Sequence, residues 1–111
     1  MSEIATRSSR DLGKADAIAD GSIVTYYIND RKLRISIARV GGKLYAFDDL
    51  CTCAPQTCPL SGGLLEGTII MCQCHGSRFD IGTGAVINGP ATQPINVYAV
   101  QETGGNVQVQ A

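Results

Sequence analysis

From residue 23 onward the hydrophobic pattern turns to that of β-strands, with a two-residue apolar–polar period over residues 33–37. Residues 23–28 are β-branched and aromatic, and residues 33–40, Leu-Arg-Ile-Ser-Ile-Ala-Arg-Val, alternate apolar with polar through Ile37. Asn29-Asp30 lies between these runs and Gly41-Gly42 after them, so a hairpin turn and a second turn are predicted there. A third strand over residues 43–47 then delivers the chain to Cys51. Shorter strands are predicted over residues 67–71, 77–80 and 85–87, separated by the Gly82-Thr83-Gly84 and Asn88-Gly89-Pro90 turns. A closing hairpin over 95–100 and 106–109 turns at Gly104-Gly105. Residues 1–9 lack any such pattern and read as a loose arm, while the best helical stretch, around Asp16 to Ala19, is at most about one turn. Many short strands with frequent turn signals predict an all-β fold, an antiparallel sandwich or barrel carrying a small insertion at about residues 48–80.

With 111 residues and 44% apolar content, the chain makes one domain with one core, and residues 1–111 are taken as a single unit. A net charge of −1 lacks the basic footprint of a nucleic-acid binder. No apolar run is long enough for a membrane anchor. Glu3, Arg7, Arg10 and Asp11 interrupt the N-terminal stretch where a signal peptide needs an apolar run. A cytoplasmic location is the default expectation, and there clustered cysteines read as metal ligands before disulfides.

Those cysteines sharpen the picture. Four of the five, with the single histidine, form Cys51-Thr52-Cys53 and Cys72-Gln73-Cys74-His75, and Cys58 follows closely. Thiolates and an imidazole at these spacings suit either zinc or an iron-sulfur cluster. Two facing loops would bring Cys51, Cys53, Cys72 and His75 to one centre. Arg31, Lys32 and Arg34 read as a solvated strand face, and no nucleophile and base are paired for catalysis.

The run Cys72-Gln73-Cys74-His75-Gly76-Ser77 resembles the second cluster loop of Rieske ferredoxins, and Cys51-Thr52 resembles the start of the first. Cys58-Pro59-Leu60-Ser61, Gly63, Phe79-Asp80, Thr83-Gly84 and Gly89-Pro90-Ala91 extend the likeness, which widens the cluster-binding part to about residues 48–91. The resemblance implies a Rieske-like sandwich or barrel with a small cluster-binding subdomain, and a [2Fe-2S] cofactor. It departs from the family at Cys53, where the first histidine is expected, so the implied ligand set is Cys51, Cys53, Cys72 and His75. Such an exchange reads as an engineered ligand variant or as a divergent branch. By the same resemblance Ser77 donates its hydroxyl to a bridging sulfide, Gly89 and Pro90 belong to a loop shielding the cluster, and Cys58 pairs with Cys74 in a disulfide. Phe79 stands where some high-potential members carry a tyrosine.

The resemblance implies an electron carrier and not an enzyme, passing one electron at a time from a flavin-type reductase to a terminal oxygenase. Alternatives from other classes are a zinc-binding structural or interaction module, and a small Rieske-like subunit of a larger reductase. An extra thiolate makes the oxidised cluster with its ligands more negative by one charge, so its potential should lie below that of a two-histidine site. Only one imidazole remains to couple a proton to the electron.

Overall fold

The three strands predicted between residues 23 and 47 fold as a continuous antiparallel meander. In the computed structural model, which describes residues 9–29, 31–52, 58–74 and 76–111, β2 (Ile23–Ile28), β3 (Leu33–Val40) and β4 (Lys43–Asp48) pair in sequence order. The expected Asn29-Asp30 turn is seen at Asn29, Arg31 and Lys32, with Arg31 N–H donating to Ile28 O at 3.2 Å and Lys32 N–H to Asn29 O at 3.3 Å; Asp30 is outside the described residues. Gly41 and Gly42 take φ of 60° and 82°, which the tight β3–β4 turn requires.

Two further antiparallel sheets flank this meander. β1 (Ser9–Lys14), β11 (Asn106–Gln110) and β10 (Val100–Thr103) form one, in the order β1-β11-β10. β5 (Leu64–Glu66), β6 (Ile69–Met71), β7 (Arg78–Asp80) and β8 (Val86–Asn88) form the other, in sequence order. β9 (Val97–Tyr98) pairs with β4 and completes the central sheet. The predicted single strand over 95–100 is therefore divided: the chain leaves the central sheet after Tyr98 and enters the β11 sheet at Val100.

Side-chain alternation divides the core into two clusters. From β3, β4 and β9 the residues Ile35, Ile37, Leu44, Ala46 and Tyr98 join Val107 and Val109 in the first. Their neighbours Ala38, Phe47, Tyr45 and Val97 face the second, which holds Leu60, Ile70, Phe79, Ile81 and the cysteines Cys51, Cys58 and Cys72. The middle of β3 is consequently buried on both faces, from Ile35 to Ala38, although its alternation predicted one wet face. The central sheet thus forms the floor on which the cysteine loops are built.

Two strands were not expected. β1 includes Ser9, which the sequence placed in a loose arm; residues 1–8 are outside the described residues. It is a polar edge strand, and its register slips between Asp11 and Gly13, so no two-residue period survives in its sequence. β5 is only three residues long, with the half-buried Leu65 between exposed Leu64 and Glu66. The predicted helical stretch is a short 3-10 turn at Ala15–Ala17.

Candidate cluster site

The first ligand segment leaves the central sheet at Asp49. Residues 49–51 run antiparallel to 58–60, with Leu50 bridging Pro59. Cys51 N–H donates to Cys58 O at 2.9 Å and Leu60 N–H to Asp49 O at 2.5 Å. These bonds close a neck, and the loop they close carries Cys51 and Cys58, both buried at 6% and 7% exposure. Gly63 lets this neck lie against β6, because a Cβ there would collide with the Met71 carbonyl oxygen one residue before Cys72.

The second segment leaves β6 at Cys72, which is fully buried. Its turn is fixed by Cys72 N–H donating to Ser77 O at 2.7 Å and Gly76 N–H to Cys72 O at 3.0 Å, with Gly76 at φ 80°. Residues 72–77 thus form a tight loop, and Gln73 and Cys74 project to its exposed side. A disulfide joins Cys58 to Cys74 with their Cα atoms 6.5 Å apart, fastening the first loop to the second. Cys72 Sγ lies within 4.8 Å of both these sulfurs, while Cys51 and Cys72 are outside any disulfide.

A third segment, after β8, packs on both. Ala91 N–H donates to the buried Ser77 Oγ at 2.9 Å, joining it to the second loop. Thr52 Oγ1 donates to Gln93 O at 2.6 Å, joining it to the first. Asn88 Nδ2 reaches Gly89 O at 3.1 Å and Gly76 O at 3.4 Å. Gly89-Pro90 is a cis peptide within this segment. Each of the three loops is therefore tied to the other two.

Of the expected ligands, the structure brings Cys51 and Cys72 into one buried apolar cluster. Cys53 and His75 are outside the described residues. Two cysteines held beside a disulfide in one buried apolar cluster suit an iron-sulfur centre, whose thiolate ligands need shielding from water. Ser77 keeps its own O–H hydrogen to donate, because the Ala91 contact uses only a lone pair.

Asp49, Thr52 and Asn88 were not singled out from the sequence. Asp49 is fully buried: its Oδ1 accepts from Ser36 Oγ and Ser61 N–H, each at 2.8 Å. Arg34 Nε lies 2.8 Å from Oδ2, an ion-pair contact that lacks hydrogen-bond alignment. A polar residue two positions before a ligand cysteine was the available signal. Arg34, expected on a solvated face, does remain 46% exposed at its side chain even while paired.

Comparison with known proteins agrees with this geometry. Residues 9–99 match the model of the Rieske [2Fe-2S] domain. A ferredoxin component of naphthalene 1,2-dioxygenase/salicylate 5-hydroxylase systems from Ralstonia sp. is 35% identical over 96 residues, 86% of this chain and 88% of that protein. Among solved structures, the Sphingomonas yanoikuyae B1 ferredoxin superposes with a TM-score of 0.82 at 31% identity, covering 94% of this chain and 99% of that one. A chain from the complex of reduced oxygenase and oxidised ferredoxin in carbazole 1,9a-dioxygenase gives 0.80 at 30% identity, covering 92% of each. With two buried cysteines on laced loops over a shared β floor and a family match across most of its length, this chain belongs to the Rieske [2Fe-2S] domain family.

Proposed function

We propose that this chain is a one-electron carrier that takes electrons from a flavin-type reductase and delivers them to a terminal oxygenase. It acts in the cytoplasm, as a single domain with its cluster-binding part at about residues 48–91. The observation that carries this reading is the placement of Cys51 and Cys72 together in one buried cluster outside any disulfide, in a chain similar to dioxygenase ferredoxin components. Among the described residues no helix is long and apolar enough to cross a membrane.

Cys51 and Cys72 hold one iron of the [2Fe-2S] cluster, and Cys53 and His75 hold the other. The cluster supplies a centre that accepts and releases one electron. The protein sets the potential through Ser77, through the missing hydroxyl at Phe79 and through the extra thiolate of Cys53. Gly89 and Pro90 stand in the covering loop, and His75 offers the edge through which a partner exchanges the electron. The exposure of Gln73 and Cys74 beside it supports that role.

Stopped-flow mixing tests the reading. The dithionite-reduced protein, mixed with an oxidised aromatic-ring dioxygenase of the naphthalene type, should lose its reduced visible spectrum as the acceptor gains electrons. A colourless protein containing zinc, or a coloured one that reduces no oxygenase, would contradict it.

A further inference from the structure

We propose that Asp49 is the positioning residue of the first ligand loop, and that its buried carboxylate also holds the potential of the site down. The inference rests on the electron-carrier reading above and adds to it a residue that is not itself a ligand.

Asp49 ties the strand β3 of the central sheet to the returning limb of the first loop. Its N–H donates to Arg34 O at 2.9 Å, which anchors it to β3. Its carbonyl and its Oδ1 receive the successive amides of Leu60 and Ser61, at 2.5 and 2.8 Å, on the returning limb of the loop. The same Oδ1 receives the Ser36 hydroxyl from the central sheet. Ser36 has one hydrogen and gives it to Asp49, so in its 2.9 Å contact with Thr25 Oγ1 the threonine must be the donor. A relay of donors from β2 through β3 therefore converges on one carboxylate.

Burying such a group is costly, and folds retain it where its bonds fix something. Here the thing fixed is the neck: Asp49 clamps both limbs, and Cys51 follows two residues later, with Cys58 opposite it. Two extended residues span at most roughly 7 Å, which bounds the separation of the Asp49 and Cys51 Cα atoms. Asp49 is fully buried, so bulk solvent screens its charge poorly. A negative charge at that range opposes the arrival of an electron. Arg34 offsets it only in part, because its side chain is 46% exposed and screened by solvent.

Asp49→Asn keeps the size of the side chain and one carbonyl acceptor but removes the charge. Asp49→Ala removes the clamp. Both variants and the parent protein are purified with iron and sulfide analysis. They are compared by redox titration, EPR of the reduced form and hydrogen exchange of the Leu60 and Ser61 amides. Asp49→Asn should load iron and sulfide as the parent does, with its midpoint shifted upward. Asp49→Ala should lose iron and sulfide and exchange the Ser61 amide roughly tenfold faster or more, the loss of about one hydrogen bond to a charged acceptor. An Asp49→Asn protein with an unmoved midpoint, or Ser61 exchange unchanged in both variants, overturns the proposal. If Asp49→Ala does not fold, Asp49→Asn decides alone. A parent protein without iron and sulfide would instead defeat the electron-carrier reading, and Ser61 exchange would still judge the clamp.

Discussion

Removing the Ser77 hydroxyl should separate two jobs that one atom performs. Ser77 is fully buried, and its Oγ accepts the Ala91 N–H at 2.9 Å. Ala91 is itself only 4% exposed, so in Ser77→Ala its N–H has no water to replace the lost acceptor. An orphaned buried donor costs about 1–3 kcal/mol. At roughly 4 °C per kcal/mol for a domain of this size, the midpoint of thermal unfolding should fall by about 4–12 °C. The hydroxyl hydrogen is the second job, because it remains available to a sulfide of the cluster. If that bond is stronger by about 1–2 kcal/mol in the reduced state, its loss lowers the potential by roughly 40–85 mV, at 59 mV per tenfold change for one electron. Circular dichroism melting reports the first effect and a dye-mediated redox titration the second. Melting within about 1 °C of the parent refutes the account of the Ala91 contact, and an unmoved potential removes the hydroxyl from the cluster.

Cys53→His should raise the potential toward the range of two-histidine sites, roughly −150 to +300 mV, and add a second proton-linked ionisation to its pH dependence; an equal or lower midpoint would mean that Cys53 is not a ligand. Cys58→Ser opens the disulfide across a sequence separation of 16 and should cost about 3 kcal/mol on the loop-entropy model. It should also speed loss of visible absorbance, whereas non-reducing mass analysis of the parent showing two alkylatable thiols at Cys58 and Cys74 would remove the premise. Asn106 Nδ2 and then Gly13 N–H, each 2.8 Å from the Asp11 carboxylate, hold its pKa below the usual 3.8. A depressed folded pKa stabilises above the unfolded value and is lost as pH falls through the folded one, so Asn106→Ala should move the NMR-observed Asp11 titration upward toward 3.8 and slightly lower stability at neutral pH, with the difference from the parent vanishing at acid pH.

The fold was legible where β-branched and aromatic runs are bounded by clear turn signals, as over β2, β3 and β4, although the two-sided burial in the middle of β3 was not. It was not legible at β1, whose bulge at Asp11 and Gly13 breaks the period, nor at β5, which is too short to show one. The change of sheet at Ala99 leaves no mark in local hydrophobicity, because both sheets accept the same residues. At the site, cysteine spacing carried the ligand candidates since a soft metal demands thiolates whatever the fold. The lacing of the loops by Thr52 to Gln93 and Ser77 to Ala91 depends on which carbonyl or amide folding brings opposite, across 41 and 14 residues. Asp49 was missed for a related reason: an aspartate reads as solvated until the strand beneath it is known to present Ser36.

Hyperfine spectroscopy of the dithionite-reduced protein, taken with iron and sulfide analysis, bears most directly on the three-cysteine, one-histidine electron carrier. Two irons and two sulfides per chain and a single strongly coupled imidazole nitrogen, from His75, are expected. A reduced cluster with no coordinated nitrogen, or a protein holding zinc in place of iron, would contradict it.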